Sequence, residues 1–153
     1  MKAILISLLG FIIWILPANA QTESAKRQTA FNLENGLAIQ GYDPVSYFSG
    51  KPTKGRKEFM YAYNGVSYRF VNSANLETFK KSPEKYEPAY GGWCAYAMGA
   101  TGEKVEVDPE TYKIINGKLY LYYNKFFNNT LDKWNKDEMN LKKKADASWM
   151  KFF

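Results

Sequence analysis

The chain has 153 residues, with 21 Lys and Arg against 15 Asp and Glu for a formal net charge of +6, one cysteine and no histidine. The missing imidazole excludes Ser-His-Asp and Cys-His catalysis, HExxH zinc sites and iron sites with a histidine ligand. A single thiol excludes an intrachain disulfide framework, so any enzymatic chemistry has to run on carboxylates, lysine, tyrosine or that thiol.

In chain order, residues 1–20 read as an export signal. Lys2 supplies a positive start, Ala3 to Leu16 an apolar run, and Pro17 precedes the small-residue pattern Ala18, Asn19, Ala20. The run falls short of the roughly 20 residues that span a bilayer. The expectation is therefore cleavage after Ala20 and a soluble, periplasmic or secreted protein with no transmembrane anchor left. Residues 21–36 are polar and weakly patterned, which suggests a flexible leader or a loosely attached first helix. The mature chain, residues 21–153, has the length of one ordinary domain, enough to bury about two thirds of the unfolded surface, with the ordered domain expected over residues 37–153.

Within that domain, Asp43 caps a short helix that has Pro44 at its first position. Gly50, Pro52 and Gly55 then mark a loop. "EFMYAYNGVSYRFV" reads as a hairpin turning at Asn64–Gly65, the pair suited to the positive φ angles of a type I′ turn. Ser73 is placed to cap a helix over "ANLETFKK", with Leu76 and Phe79 on one face, and Ser82–Pro83 starts another short turn. A second hairpin, "TYKIINGKLYLYYN", turns at Asn116–Gly117. At an offset of 52 positions (64 to 116), Asn64, Gly65, Tyr68, Phe70, Asn72 and Phe79 match Asn116, Gly117, Tyr120, Tyr122, Asn124 and Leu131. Two hairpin-plus-helix units around one core follow from this, a small single-domain α+β fold with antiparallel pairing. Phe126, Phe127, Leu131, Trp134, Met139, Leu141, Ala145 and Trp149 recur at three- and four-residue steps, as in helices laid against a sheet and broken near residues 137–140. The lysine-rich end "LKKKADASWMKFF" reads as a solvated face rather than a nucleic-acid surface.

"GYDPVSYFSGKPTKG", "YNGVSYRFVNSANLETFKKSPEKYEPAYGGWCAYAMG", "INGKLYLYYNK" and "KADASWM" together resemble the exported YHS-domain proteins over almost all of residues 37–150. The resemblance implies a small α+β fold related to treble-clef-like metal-binding modules. Metal-binding relatives carry cysteines after the Asp-Pro-Val and at the end of the first hairpin, where this chain has Ser46 and Val71–Ser73. Many exported members carry a histidine near the position of Phe48. The usual soft-ligand cluster is thus absent, while Tyr90, Gly91, Gly92, Trp93 and Cys94 form the exported branch's own motif, alongside the Asp43 motif.

Two readings of Cys94 stand side by side: a buried packing thiol, or a soft-metal ligand. Four residues separate it from Met98, so a helix over Ala95–Met98 ending at Gly99 brings both sulfurs to one face, about 6 Å apart, where Cu(I) suits them. Met60 is the candidate third sulfur. The partners that follow are a metal ion or an envelope protein. Tyr61, Tyr63, Tyr68, Tyr90, Tyr96, Tyr112, Tyr120, Tyr122 and Tyr123 with Trp93 either form strand core or an aromatic cleft for a flat ligand. Asp43, Glu103, Glu106, Asp108 and Glu110 are the carboxylates available for an acid and base pair. A small enzyme using Cys94 or such a pair in that cleft is the alternative to a binding domain.

Overall fold

The computed structural model describes residues 18–153. The apolar run of the expected export signal therefore lies outside the described residues. The elements are α1 (Ala18–Ala30), β1 (Leu33–Glu34), β2 (Leu37–Ala38), β3 (Arg56–Tyr63), β4 (Val66–Phe70), α2 (Ser73–Lys81), α3 (Pro83–Tyr86), α4 (Ala95–Ala100), β5 (Asp108–Ile115), β6 (Lys118–Tyr122), β7 (Asn124–Lys125), β8 (Asn128–Asn129), α5 (Thr130–Lys136) and α6 (Glu138–Trp149). Four short 3₁₀ turns at Ile39–Gly41, Ser46–Ser49, Ala89–Gly92 and Met150–Phe152 complete them. The fold is the expected small α+β domain, and both hairpins form, β3–β4 and β5–β6. Its first sheet runs β1-β2-β4-β3 and includes one parallel pair, β2 with β4, which the sequence did not suggest.

The hairpins turn where Asn-Gly stands, with φ of 45° at Asn64, 83° at Gly65, 50° at Asn116 and 74° at Gly117. Strand alternation then decides what is buried. In β4, Val66, Tyr68 and Phe70 are fully buried against Phe79 of α2. On β6, Leu119 and Leu121 join that first cluster, whereas Tyr120 and Tyr122 join a second one with Ala95, Met98, Trp134, Leu141 and Ala145. One strand thus separates two apolar clusters, and each fully buried side chain stabilises the fold by about 1.5–3 kcal/mol relative to exposure.

The internal likeness is deeper than the sequence offset. Hairpin register is the same in both copies, pair by pair, at 52 positions (60 to 112, 69 to 121), from Met60↔Arg69 to Tyr63↔Val66 and from Tyr112↔Leu121 to Ile115↔Lys118. Both carry a bulge at the same place, between Arg56 and Met60 and between Asp108 and Tyr112. Ahead of each hairpin stands a run of three positive φ angles, 51°, 50° and 83° at Ile39, Gln40 and Gly41, and 53°, 59° and 86° at Tyr90, Gly91 and Gly92. Parallel bridges Leu37↔Ser67 and Pro88↔Leu119 complete the correspondence.

Several expectations are corrected. Of the two alternatives for residues 21–36 the structure has the helix, α1, and it is tied down: Ala30 and Phe31 are buried, Arg27 pairs with Glu87, and Gln28 Nε2 donates to Gly65 O at 3.0 Å. Asn72, not Ser73, caps α2, its side chain accepting from Asn75 N. Gly99 lies inside α4 rather than at its end. A Cβ there would sit 2.4 Å from Leu141 O, so glycine is what lets α6 cross α4 closely. In the second unit the small β7–β8 hairpin precedes the helix, and α5 starts only at Thr130, capped by Asn129. Phe126, Phe127 and Met139 belong to no apolar face and stand exposed.

Candidate functional site

Asp43 is fully buried, but the expected helix with Pro44 at its first position is a 3₁₀ turn over Ser46–Ser49 whose N-cap is Val45, and Asp43 meets its first amides from outside. Oδ1 accepts from Val45 N (2.8 Å) and Ser46 N (3.4 Å), and Oδ2 from Val71 N (2.9 Å) and Asn75 Nδ2 (2.7 Å). A carboxylate buried on neutral donors ties the turn, the end of the first hairpin and α2 together.

Cys94 occupies the corresponding place in the second unit. Asp43 N donates to Thr53 O and Cys94 N to Val105 O, each at 2.9 Å. Just as Val71 N–H meets Asp43, Tyr123 N–H meets Cys94 Sγ at 3.4 Å. Thr130 Oγ1 lies 3.3 Å from the sulfur, with either atom able to donate, and is also placed to donate to Tyr123 O at 2.8 Å.

The three sulfurs of the soft-metal reading stand in different surroundings. Cys94 precedes α4 with ψ at 115° instead of standing in it, and packs with the cluster of Leu119 and Leu121. Met98 packs with the cluster of Tyr120 and Tyr122. Met60 is 55% exposed on β3 and cannot complete a buried site. Among the described residues no group of three or more His, Cys, Asp or Glu is placed to hold a metal ion.

Of the carboxylates singled out from sequence, Asp108 and Glu110 lie in one turn near Tyr42, each engaged by neighbouring groups. Asp108 accepts from Glu110 N and Thr111 Oγ1 in a local turn, Glu110 from Tyr42, and Glu103 from Thr101. Glu106 lines a shallow polar cavity with Glu34 and Lys125. Most of the tyrosines are core or strand surface. Trp93 is fixed by its indole N–H to Ala30 O.

Two of them, Tyr90 and Tyr120, do reach a cleft of about 300 Å³ bounded by α1, the 89–92 turn, β6 and α6. Phe31, Tyr90, Tyr120, Trp149 and Phe153 supply its aromatic walls, and Arg27, Glu87, Lys118 and Asp146 its charges. Each carboxylate is engaged: Glu87 Oε1 takes Arg27 and Tyr68 OH, while Asp146 takes Tyr90 OH on Oδ1 and Lys142 on Oδ2, both at 2.8 Å. Burial, then the Asp146 contact, holds the Tyr90 hydroxyl far above the usual phenol range. Lys118 is different. Its Nζ donates one bond, to Glu84 O at 2.7 Å, and among the described residues no carboxylate reaches it. Burial pushes its amino group below the usual lysine range, against the opposing charges of Glu87 and Glu84.

Sequence reasoning missed Arg27, Glu87, Lys118 and Asp146, which meet only in three dimensions; the "KYEPAYGG" and "NGKLY" stretches hold two of them without marking them. The positive φ of Tyr90 is not a functional strain signal, because Ile39 repeats it in the first unit. No family model, curated protein or solved structure matches the chain.

Proposed function

We propose that the chain is an exported, non-enzymatic binding domain of YHS type whose ligand is a small flat anion, such as an aromatic carboxylate, held in the cleft between α1, β6 and α6. One observation carries the reading: a half-buried lysine with two uncommitted N–H donors faces an aromatic-walled cavity of about 300 Å³, the combination of apolar lining and a few placed polar groups that small-molecule sites use. Binding is favoured over acid–base chemistry because Glu87 and Asp146 are each already engaged by side chains of the protein, Arg27 with Tyr68 and Tyr90 with Lys142. The YHS assignment rests on the motifs quoted above, and export on residues 1–20.

A thermal-shift panel tests the binding reading. Benzoate and indole carboxylates should raise Tm in the wild type, their neutral amides should not, and Lys118→Met should lose the effect. No shift with any carboxylate, or the same shift in Lys118→Met, refutes it. Intact mass of the exported product tests the export reading: a chain still carrying Met1–Ala20 contradicts it.

A further inference from the structure

Among the described residues, four two-residue turns share one backbone, positive φ at both central positions. Three of them carry Asn-Gly: 53° and 76° at Asn35–Gly36, then Asn64–Gly65 and Asn116–Gly117. The fourth joins β7 to β8 and carries Phe126–Phe127, at 52° and 60°. A bulky side chain in that region is strained, where Asn and Gly are not. Both rings are also almost wholly solvent-exposed, at 88% and 112% relative accessibility. The same turn is therefore built at a double cost, in backbone strain and in apolar surface left in water, at the one place where the chain departs from its own solution.

We propose that Phe126 and Phe127 form a wedge that inserts into the interfacial region of a lipid bilayer. Two features argue for lipid over a protein partner. The rings together offer on the order of 300–500 Å², well below the roughly 800 Å² per partner of a stable protein interface, and they stand at the tip of a two-residue turn. Insertion into a fluid interface needs no complementary surface. Charge is not what selects the site: Lys125 flanks the turn and Lys133 lies exposed on α5, but Glu34, Glu106 and Asp132 outweigh them locally, so the rings supply the attraction.

The test uses the processed chain beginning at Gln21, which keeps every side-chain contact described above and lacks the apolar N-terminal run. Wild type and the double variant Phe126→Asn/Phe127→Gly are sedimented with phosphatidylcholine–phosphatidylserine vesicles. The variant restores the turn residues used elsewhere in the chain, so it should melt several degrees higher than wild type and yet bind vesicles at least about tenfold more weakly. Wild type that stays in the supernatant, as a protein-docking loop would, overturns the proposal, and so does a variant that binds as well as wild type.

Discussion

Replacing Asp43 by alanine removes a fully buried acceptor and leaves its donors facing a methyl group. Three bonds of 2.7–2.9 Å are lost, from Val45 N, Val71 N and Asn75 Nδ2. Ser46 N keeps a partner in Asp43 O at 3.1 Å, and the partly buried Asn75 side chain can turn to water. Two backbone donors remain orphaned, at about 1–3 kcal/mol each, and relief of the buried charge returns part of that loss. The net expectation is a loss of about 3–4 kcal/mol, a large share of the 5–15 kcal/mol typical of a whole domain. Asp43→Asn keeps one oxygen and sets an amide N–H₂ against the other donors, for about 2–3 kcal/mol. Cys94→Ala, at the matching position, loses only a weak sulfur acceptor and a small volume, for about 1–2 kcal/mol. Urea unfolding followed by tryptophan fluorescence gives the three values. The reasoning is refuted if Asp43→Ala costs under about 1 kcal/mol, or if Cys94→Ala costs more than Asp43→Ala.

Gly65→Val and Gly117→Val both force a β-branched residue to positive φ, costing at least about 1–3 kcal/mol, but a Cβ at Gly65 would also meet Ser24 Oγ at 2.1 Å whereas Gly117 faces open space. Gly65→Val should therefore show the lower denaturation midpoint, and equal midpoints would mean that α1 does not lie over the first turn. Tyr68 and Tyr90 are held well above the unfolded value of 10.0, by burial first and then by Glu87 and Asp146 respectively. Their contribution to stability is complete below pH 10 and is lost as pH rises beyond it, because the unfolded chain ionises first. Tyrosinate absorbance should then appear together with unfolding; a smooth titration of every tyrosine in a still-folded protein contradicts this. In a Cu(I) chelator competition, Cys94→Ala should match wild type, and a Cys94-dependent affinity would reopen the metal reading.

What the sequence disclosed was the local part. Asn-Gly pairs marked both hairpins because positive φ is a property of those two residues and needs no tertiary help. The 52-position offset showed the duplication for the same reason, since strand register repeats residue by residue. Asp43 was readable as a cap, but its bonds to Val71 and Asn75 cross about thirty positions and leave no local trace. The metal reading of Cys94 and Met98 rested on helical spacing alone. Two nonlocal facts lay beyond it: Cys94 stands before the helix, and the two sulfurs pack in different clusters. Segment 21–36 read as a flexible leader or a loose helix because its polar residues make their contacts, Arg27 to Glu87 and Gln28 to Gly65, with distant parts of the chain. The cleft is assembled from α1, β6 and α6 in the same way, so its charges could not be gathered from spacing.

The most direct measurement of the central claim is a cycle that varies ligand and protein together: calorimetric Kd values for an aromatic carboxylate and its neutral amide, each with wild type and Lys118→Met. If Lys118 holds the anion, the carboxylate should be preferred over the amide by at least about tenfold in wild type, as for a charge-assisted hydrogen bond, and the preference should vanish in Lys118→Met while amide binding stays unchanged. A preference that survives the substitution, or no binding of either compound to wild type, contradicts the account.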